Sequence, residues 1–97
     1  MFMQMDKRTV ANDLGFSVRR DDIYTLSYHE GERILKFGLE LSGRQEDYNF
    51  ILYSDSSLSK GWQPPYDKEA ISPEKKKEIL QRVLSAVEFM GKKALVV

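Results

Sequence analysis

Residues 34–42, ILKFGLELS, alternate without a break. Leu35, Phe37, Leu39 and Leu41 point one way; Lys36, Gly38 and Glu40 point the other. Successive side chains on a β-strand project to opposite faces, so this stretch reads as a strand with one greasy side and one polar side. A strand of that kind is unstable alone. It requires neighbours to pair with and a second layer to cover its apolar face.

The neighbours lie on both sides in the chain. FSVRR (16–20) places Phe16 and Val18 on one face, and Asp21-Asp22 mark a turn. IYTLSYH (23–29) sets Tyr24, Leu26 and Tyr28 against Thr25 and Ser27. EGER (30–33) is a hairpin loop in which Gly31 is free to take positive φ. GRQED (43–47) is the next turn. YNFILYS (48–54) is apolar on both faces, as expected of a central strand. Together these form an antiparallel meander of about four strands.

The cover is in the tail. Ser72 is a good N-cap, Pro73 suits the first helical position, and Glu74 complements the positive end of the helix dipole. Ile79, Leu80, Val83, Leu84, Val87 and Met90 recur at three- and four-residue spacing, an amphipathic stripe. Gly91 is a natural stop. KKALVV (92–97) reads as a short final strand. The expected fold is α+β, with the meander covered on one face by one long C-terminal helix.

One domain spans 1–97: 1–15 as a flexible arm or a short helix, 16–54 as the meander, 55–72 as a connector, 73–91 as the helix and 92–97 as the final strand. The connector holds Trp62, the chain's one tryptophan, and all three prolines, Pro64, Pro65 and Pro73, fall within residues 61–73. Prolines stiffen a crossing and bias Gln63 away from helix. Trp62 is expected to plug the seam between sheet and helix, with a second role as an exposed binding anchor kept open beside Tyr66.

Composition narrows the function classes. Apolar residues make up 41% and charged residues 31%, as in ordinary soluble domains. No apolar run approaches the roughly 20 residues that span a bilayer. MFMQMDKR has only five residues before its first charge, which is not a signal peptide's order. The chain has no cysteine, hence no disulfide framework and no Cys-based metal site. A cytoplasmic location without membrane contact is expected. Ten acids and seven bases fall in 1–59, net −3; five acids and eight bases fall in 60–97, net +3. Neither half carries the basic excess of a nucleic-acid binder.

The residues that could do chemistry are sparse. His29 is the one histidine, and no Ser or Glu is organised around it in a catalytic motif. Glu30 and Glu32 sit on a turn without metal-ligand spacing. Gly31, Gly38, Gly43 and Gly61 are isolated and make no phosphate loop. Glu40 lies inside a strand, where pairing with Lys36 is the simplest reading. A sheet–helix pocket using Glu40 and Tyr53 would be the enzymatic alternative. No enzyme, no cofactor and no metal are expected. What remains is a binding protein with aromatic and acidic groups on its turns: Asp21, Asp22, Glu30, Glu32, Asp55, Trp62 and Tyr66.

YTLSYHEGERILKFGLEL followed by ILYSDSSLSKGWQPPYDKEAISPEKKKEILQRVLSAVEFMG resembles small immunity proteins of bacterial polymorphic-toxin and contact-dependent-inhibition systems. The positions that carry the resemblance include Tyr28, Glu40, Tyr53, Trp62 and Pro65 (a Trp-x-x-Pro element), and Phe89, Met90 and Gly91. It covers about residues 23–91. His29, and about 15 residues at the N-terminus, depart from the pattern. The resemblance implies a partner, the C-terminal domain of one cognate secreted toxin, held by stoichiometric occlusion without turnover. The rival class is a small adaptor or regulatory module that binds a cellular protein or a second copy of itself.

Overall fold

The structure is a computed structural model that describes residues 1–41 and 48–97. The GRQED turn and the carboxylates of Glu46 and Asp47 therefore lie outside the described residues. Seven strands form one sheet in sequence order: β1 (Phe2–Gln4), β2 (Thr9–Asn12), β3 (Phe16–Asp22), β4 (Thr25–Glu30), β5 (Arg33–Leu41), β6 (Phe50–Tyr53) and β7 (Ala94–Val96). Neighbours are antiparallel except β6 and β7, which are parallel. Two helices, α1 (Ser54–Lys60) and α2 (Pro73–Phe89), complete the α+β domain.

The meander therefore has more strands than the four expected, and the extra pair comes from residues 1–15. Neither the flexible arm nor the short helix describes that segment. Val10 pairs with Val18 and is fully buried, so packing on β3 overrides the local helix-like composition. The connection to β3 is a tight turn. Asn12 accepts the Leu14 amide on its side chain and the Gly15 amide on its carbonyl.

The alternation of residues 34–41 places its apolar set inward as expected. Leu35, Phe37 and Leu39 are buried with Leu26, Tyr28, Phe50 and Leu52. Leu41, at the strand end, is exposed. From α2, Ile79, Val83, Ala86 and Val87 close this core. Ser72 caps α2 by accepting the Lys75 amide at 3.1 Å. Pro73 opens the helix, where its missing N–H goes unnoticed.

The connector is not uniform. Its first part is α1, a seven-residue helix with Leu58 as its single core side chain. One apolar residue makes no periodic signal, which is why the pattern showed a loop. Ser57 Oγ donates to the Tyr53 carbonyl at 2.5 Å and accepts the Gly38 amide at 3.1 Å, tying α1 to β5 and β6. After Gly61, Gln63 N donates to the Ile34 carbonyl at 2.8 Å. The connector thus bonds to the start of β5 at a position that β6 does not reach. Trp62 is turned inward, 5% exposed, its ring stacked 6.3 Å from that of Tyr28.

Candidate functional site

Core positions on β3–β6 alternate with positions on the opposite face, where Arg19, Asp21, Ser27, His29, Lys36, Glu40, Ile51 and Tyr53 stand. The core residues contributed by α1 and α2 all pack on the first face. The second face is carried by paired strands of the sheet.

Its centre is a polar cluster. Ser27 is fully buried, and its Oγ donates to Asp21 Oδ1 at 3.1 Å. His29 Nε2 lies 2.9 Å from Ser27 Oγ, whose own proton goes to Asp21, so the network closes with the proton on Nε2. Lys36 Nζ reaches Asp21 Oδ2 at 2.9 Å, and Arg19 Nε stands 3.8 Å from Oδ1. Burial holds the His29 imidazole below its ordinary range, against the pull of Asp21, so the neutral ring is favoured. The Ser, His and Asp do not form a nucleophile relay. The carboxylate bonds the serine rather than the imidazole, and the serine hydroxyl is sealed from solvent.

A second network joins sheet to helix. Tyr28 Oη donates to Glu30 Oε1 at 2.5 Å, and the same oxygen receives Lys75 Nζ at 2.8 Å and Arg82 Nη1 at 3.1 Å. Arg82 also donates to Tyr28 Oη, lies 4.7 Å over the Phe16 ring, and pairs with Glu78. Burial pushes the Tyr28 hydroxyl well above its ordinary value, and its bond to Glu30 pushes the same way. Burial alone would raise Glu30, but its bonds to Lys75 and Tyr28 outweigh that and hold the carboxyl low. Lys75 and Arg82 stand two helical turns apart on one face of α2. That spacing is legible in the sequence, but their shared partner on β4 is not.

The third network clamps the connector. Arg33 forms a two-pronged pair with Glu69, both bonds 2.9 Å, while its guanidinium lies 4.5 Å over the Tyr66 ring. Tyr66 Oη donates to Glu32 Oε2 at 2.7 Å.

The residues expected to contact a partner are thus distributed over several surfaces. Asp21 is in the open-face cluster, Glu30 in the sheet–helix network, and Glu32 with Tyr66 in the clamp. Asp22 accepts the Tyr24 amide at 2.7 Å and shapes the β3–β4 turn. Asp55 stands exposed in the first turn of α1. Trp62 is buried in the seam, as expected of a plug, and the exposed-anchor alternative is the part that needs correcting. Asp21 and Glu30 already have cationic partners inside the chain, so less of their charge is free to attract a base than the sequence implied. Glu40 and Tyr53 lie on the open face, not between sheet and helix, which removes the enclosed pocket imagined for them. Tyr53 is raised by burial and by the adjacent Glu40. Of the remaining signature positions, Pro65 lies exposed in the connector and Phe89 rests on Phe2, ring centroids 5.5 Å apart. Met90 caps α2 and packs on the core, and Gly91 follows at φ +80°.

Among the described residues, no helix is long and apolar enough to cross a membrane, and no group of three His, Asp or Glu could hold a metal ion. The sequence model of the family Immunity protein 74 matches residues 25–96, from the start of β4 to the end of β7. Searches of curated proteins and of solved structures found no match. The chain belongs to the Immunity protein 74 family.

Proposed function

From membership of the Immunity protein 74 family we infer that this chain protects a cell by binding one cognate toxin domain and blocking it without turnover. The observation that carries the reading is the family match over residues 25–96, which includes the whole β4–β6 sheet centre and both helices. The geometry is consistent with it. Strands fixed by a closed core present a polar and aromatic face in one conformation, so little ordering entropy opposes association. The three internal ion networks hold that face and the connector in register. The toxin is expected to be the C-terminal domain of a secreted polymorphic or contact-dependent-inhibition protein, and the complex is expected to form in the cytoplasm of the protected cell.

The test begins with the DNA upstream of the gene. The last segment of the large protein encoded there is expressed and titrated with this chain by calorimetry. Nanomolar one-to-one binding with loss of the segment's toxicity is the expected result. A toxic segment that is neither bound nor neutralised would overturn the reading in favour of an adaptor.

A further inference from the structure

Four cations surround a cleft of about 180 Å³ at the opposite end of the sheet from α1: Lys7, Arg8, Arg20 and Lys92, with Phe50 as its aromatic floor. The Arg20 guanidinium lies 5.3 Å over the Phe50 ring. Its nitrogens donate only to backbone carbonyls, Asp22 O at 3.1 Å and Ile23 O at 3.5 Å. Arg8 Nη1 donates to the Asp21 carbonyl at 3.1 Å. These bonds fix the direction of both guanidinium groups around the irregularity in β3 between Arg20 and Asp22. They bring no carboxylate to either guanidinium. Among the described residues, no carboxylate lies within 4.0 Å of a charged nitrogen of Lys7, Arg8, Arg20 or Lys92, whereas Lys36, Lys75, Arg33 and Arg82 each have one.

Like charges gathered in one cleft repel one another, and an aromatic ring beside them lowers the local dielectric and sharpens that repulsion. An anion placed in the cleft relieves it. The cleft is narrow, Asp22 borders the adjoining hollow, and Ile23 beside it is 52% exposed. A compact socket with an apolar rim fits one acidic side chain on a protein surface. A nucleic-acid backbone calls for an extended basic stripe. Arg and aromatic side chains are also the groups enriched at interface anchors.

We propose that this cleft is the socket for an Asp or Glu carboxylate on the toxin partner. The proposal rests on the toxin-binding reading. It places the charge matching on a cleft whose cations Lys7, Arg8 and Arg20 lie before residue 25, while Leu26, Phe50, Met90 and Lys92 of the same lining fall within residues 25–96.

The test uses the full chain and the toxic segment encoded beside its gene. The variant Lys7→Glu/Arg8→Glu/Lys92→Glu changes only exposed side chains. It is expected to raise Kd on the order of 100-fold, because three attractive contacts become repulsive. The milder Lys7→Ala/Lys92→Ala serves if the triple variant fails to fold, and is expected to raise Kd on the order of 10-fold and to flatten its salt dependence. Lys76→Glu/Lys77→Glu, at the far end of α2, is expected to leave Kd within threefold. If the wild-type chain binds the segment and the cleft variants bind it equally well, the socket is overturned while toxin binding stands. If the wild-type chain binds no toxic segment, the parent reading fails first. Tight capture of a 20-nucleotide RNA, lost in the cleft variants while toxin binding is unchanged, would also overturn the protein-carboxylate assignment.

Discussion

Glu30, the last residue of β4, and Arg82 of α2 meet at 3.1 Å across 52 positions of sequence. Their contact is the centre of a network with Tyr28 and Lys75 that joins the two layers of the domain. One carboxylate oxygen accepts three donors, and two of these are cationic. Removing that oxygen leaves a buried phenol and two cations short of a partner.

Glu30→Ala is therefore expected to destabilise the fold by about 1–3 kcal/mol, the range for leaving a buried donor without its acceptor. Glu30→Gln should lose less, because an amide oxygen still accepts from Tyr28. Urea unfolding of the three proteins checks both, with an unchanged m-value marking a change in stability alone.

The same carboxylate predicts an acid limb. Its pKa is held below the ordinary 4.5 in the folded state, so its contribution is fully present above that pH and is lost as pH falls through the lower folded value. His29 is also depressed, from an ordinary 6.5. Protonating it is easier in the unfolded chain, so its contribution fades as pH falls below 6.5. Stability measured from pH 8 to 3 should decline in two stages. Glu30→Gln should shrink the lower stage, to which the lowered carboxyls of Asp6 and Asp13 also contribute, and His29→Asn should remove the upper.

Trp62→Ala is expected to cost about 3–5 kcal/mol, because a large side chain leaves a packed seam against Tyr28. Trp62→Phe keeps a ring there and should cost less. Since Trp62 is the one tryptophan, its fluorescence reports the seam directly. Emission should be blue-shifted in the native chain and move to longer wavelength on unfolding.

The first strands are structural. Val10→Ala is expected to lower stability by about 2 kcal/mol, since a fully buried side chain between β1 and β3 is cut back. A mobile arm would give no change in thermal midpoint, so differential scanning calorimetry separates the two descriptions.

Gly91 ends α2 at φ +80° with open space where a Cβ would stand. The expected penalty for Gly91→Ala is therefore conformational, about 1–2 kcal/mol, and is not a clash. Chemical denaturation should show that loss, and Gly91→Asn, whose side chain tolerates this region better, should recover part of it.

Much of this molecule follows from periodicity. A two-residue repeat over 34–41 and a three-to-four-residue repeat over 79–90 identify a strand, a helix and the faces they hide, because burial acts on whichever side chains share a face. Ser72, Pro73 and Gly91 mark the helix ends through local backbone chemistry alone, and the turn at Gly31 is as local. The sequence by itself thus determined the class of fold, the hidden faces of β5 and α2, and the kinship of residues 25–96. Tertiary structure decided the rest. It drew Thr9–Asn12 into the sheet, because β3 offered an unpaired edge and a place for Val10. It made a helix of Ser54–Lys60, whose one core side chain, Leu58, has no periodic partner. It turned Trp62 inward, paired Asp21 with Lys36 and Glu30 with Lys75 and Arg82, and lined one cleft with Lys7, Arg8, Arg20 and Lys92, none of them within ion-pair distance of a carboxylate among the described residues. Periodicity reports which face a residue occupies. Which charges neutralise one another depends on distances between segments far apart in the chain, and only the folded backbone sets those.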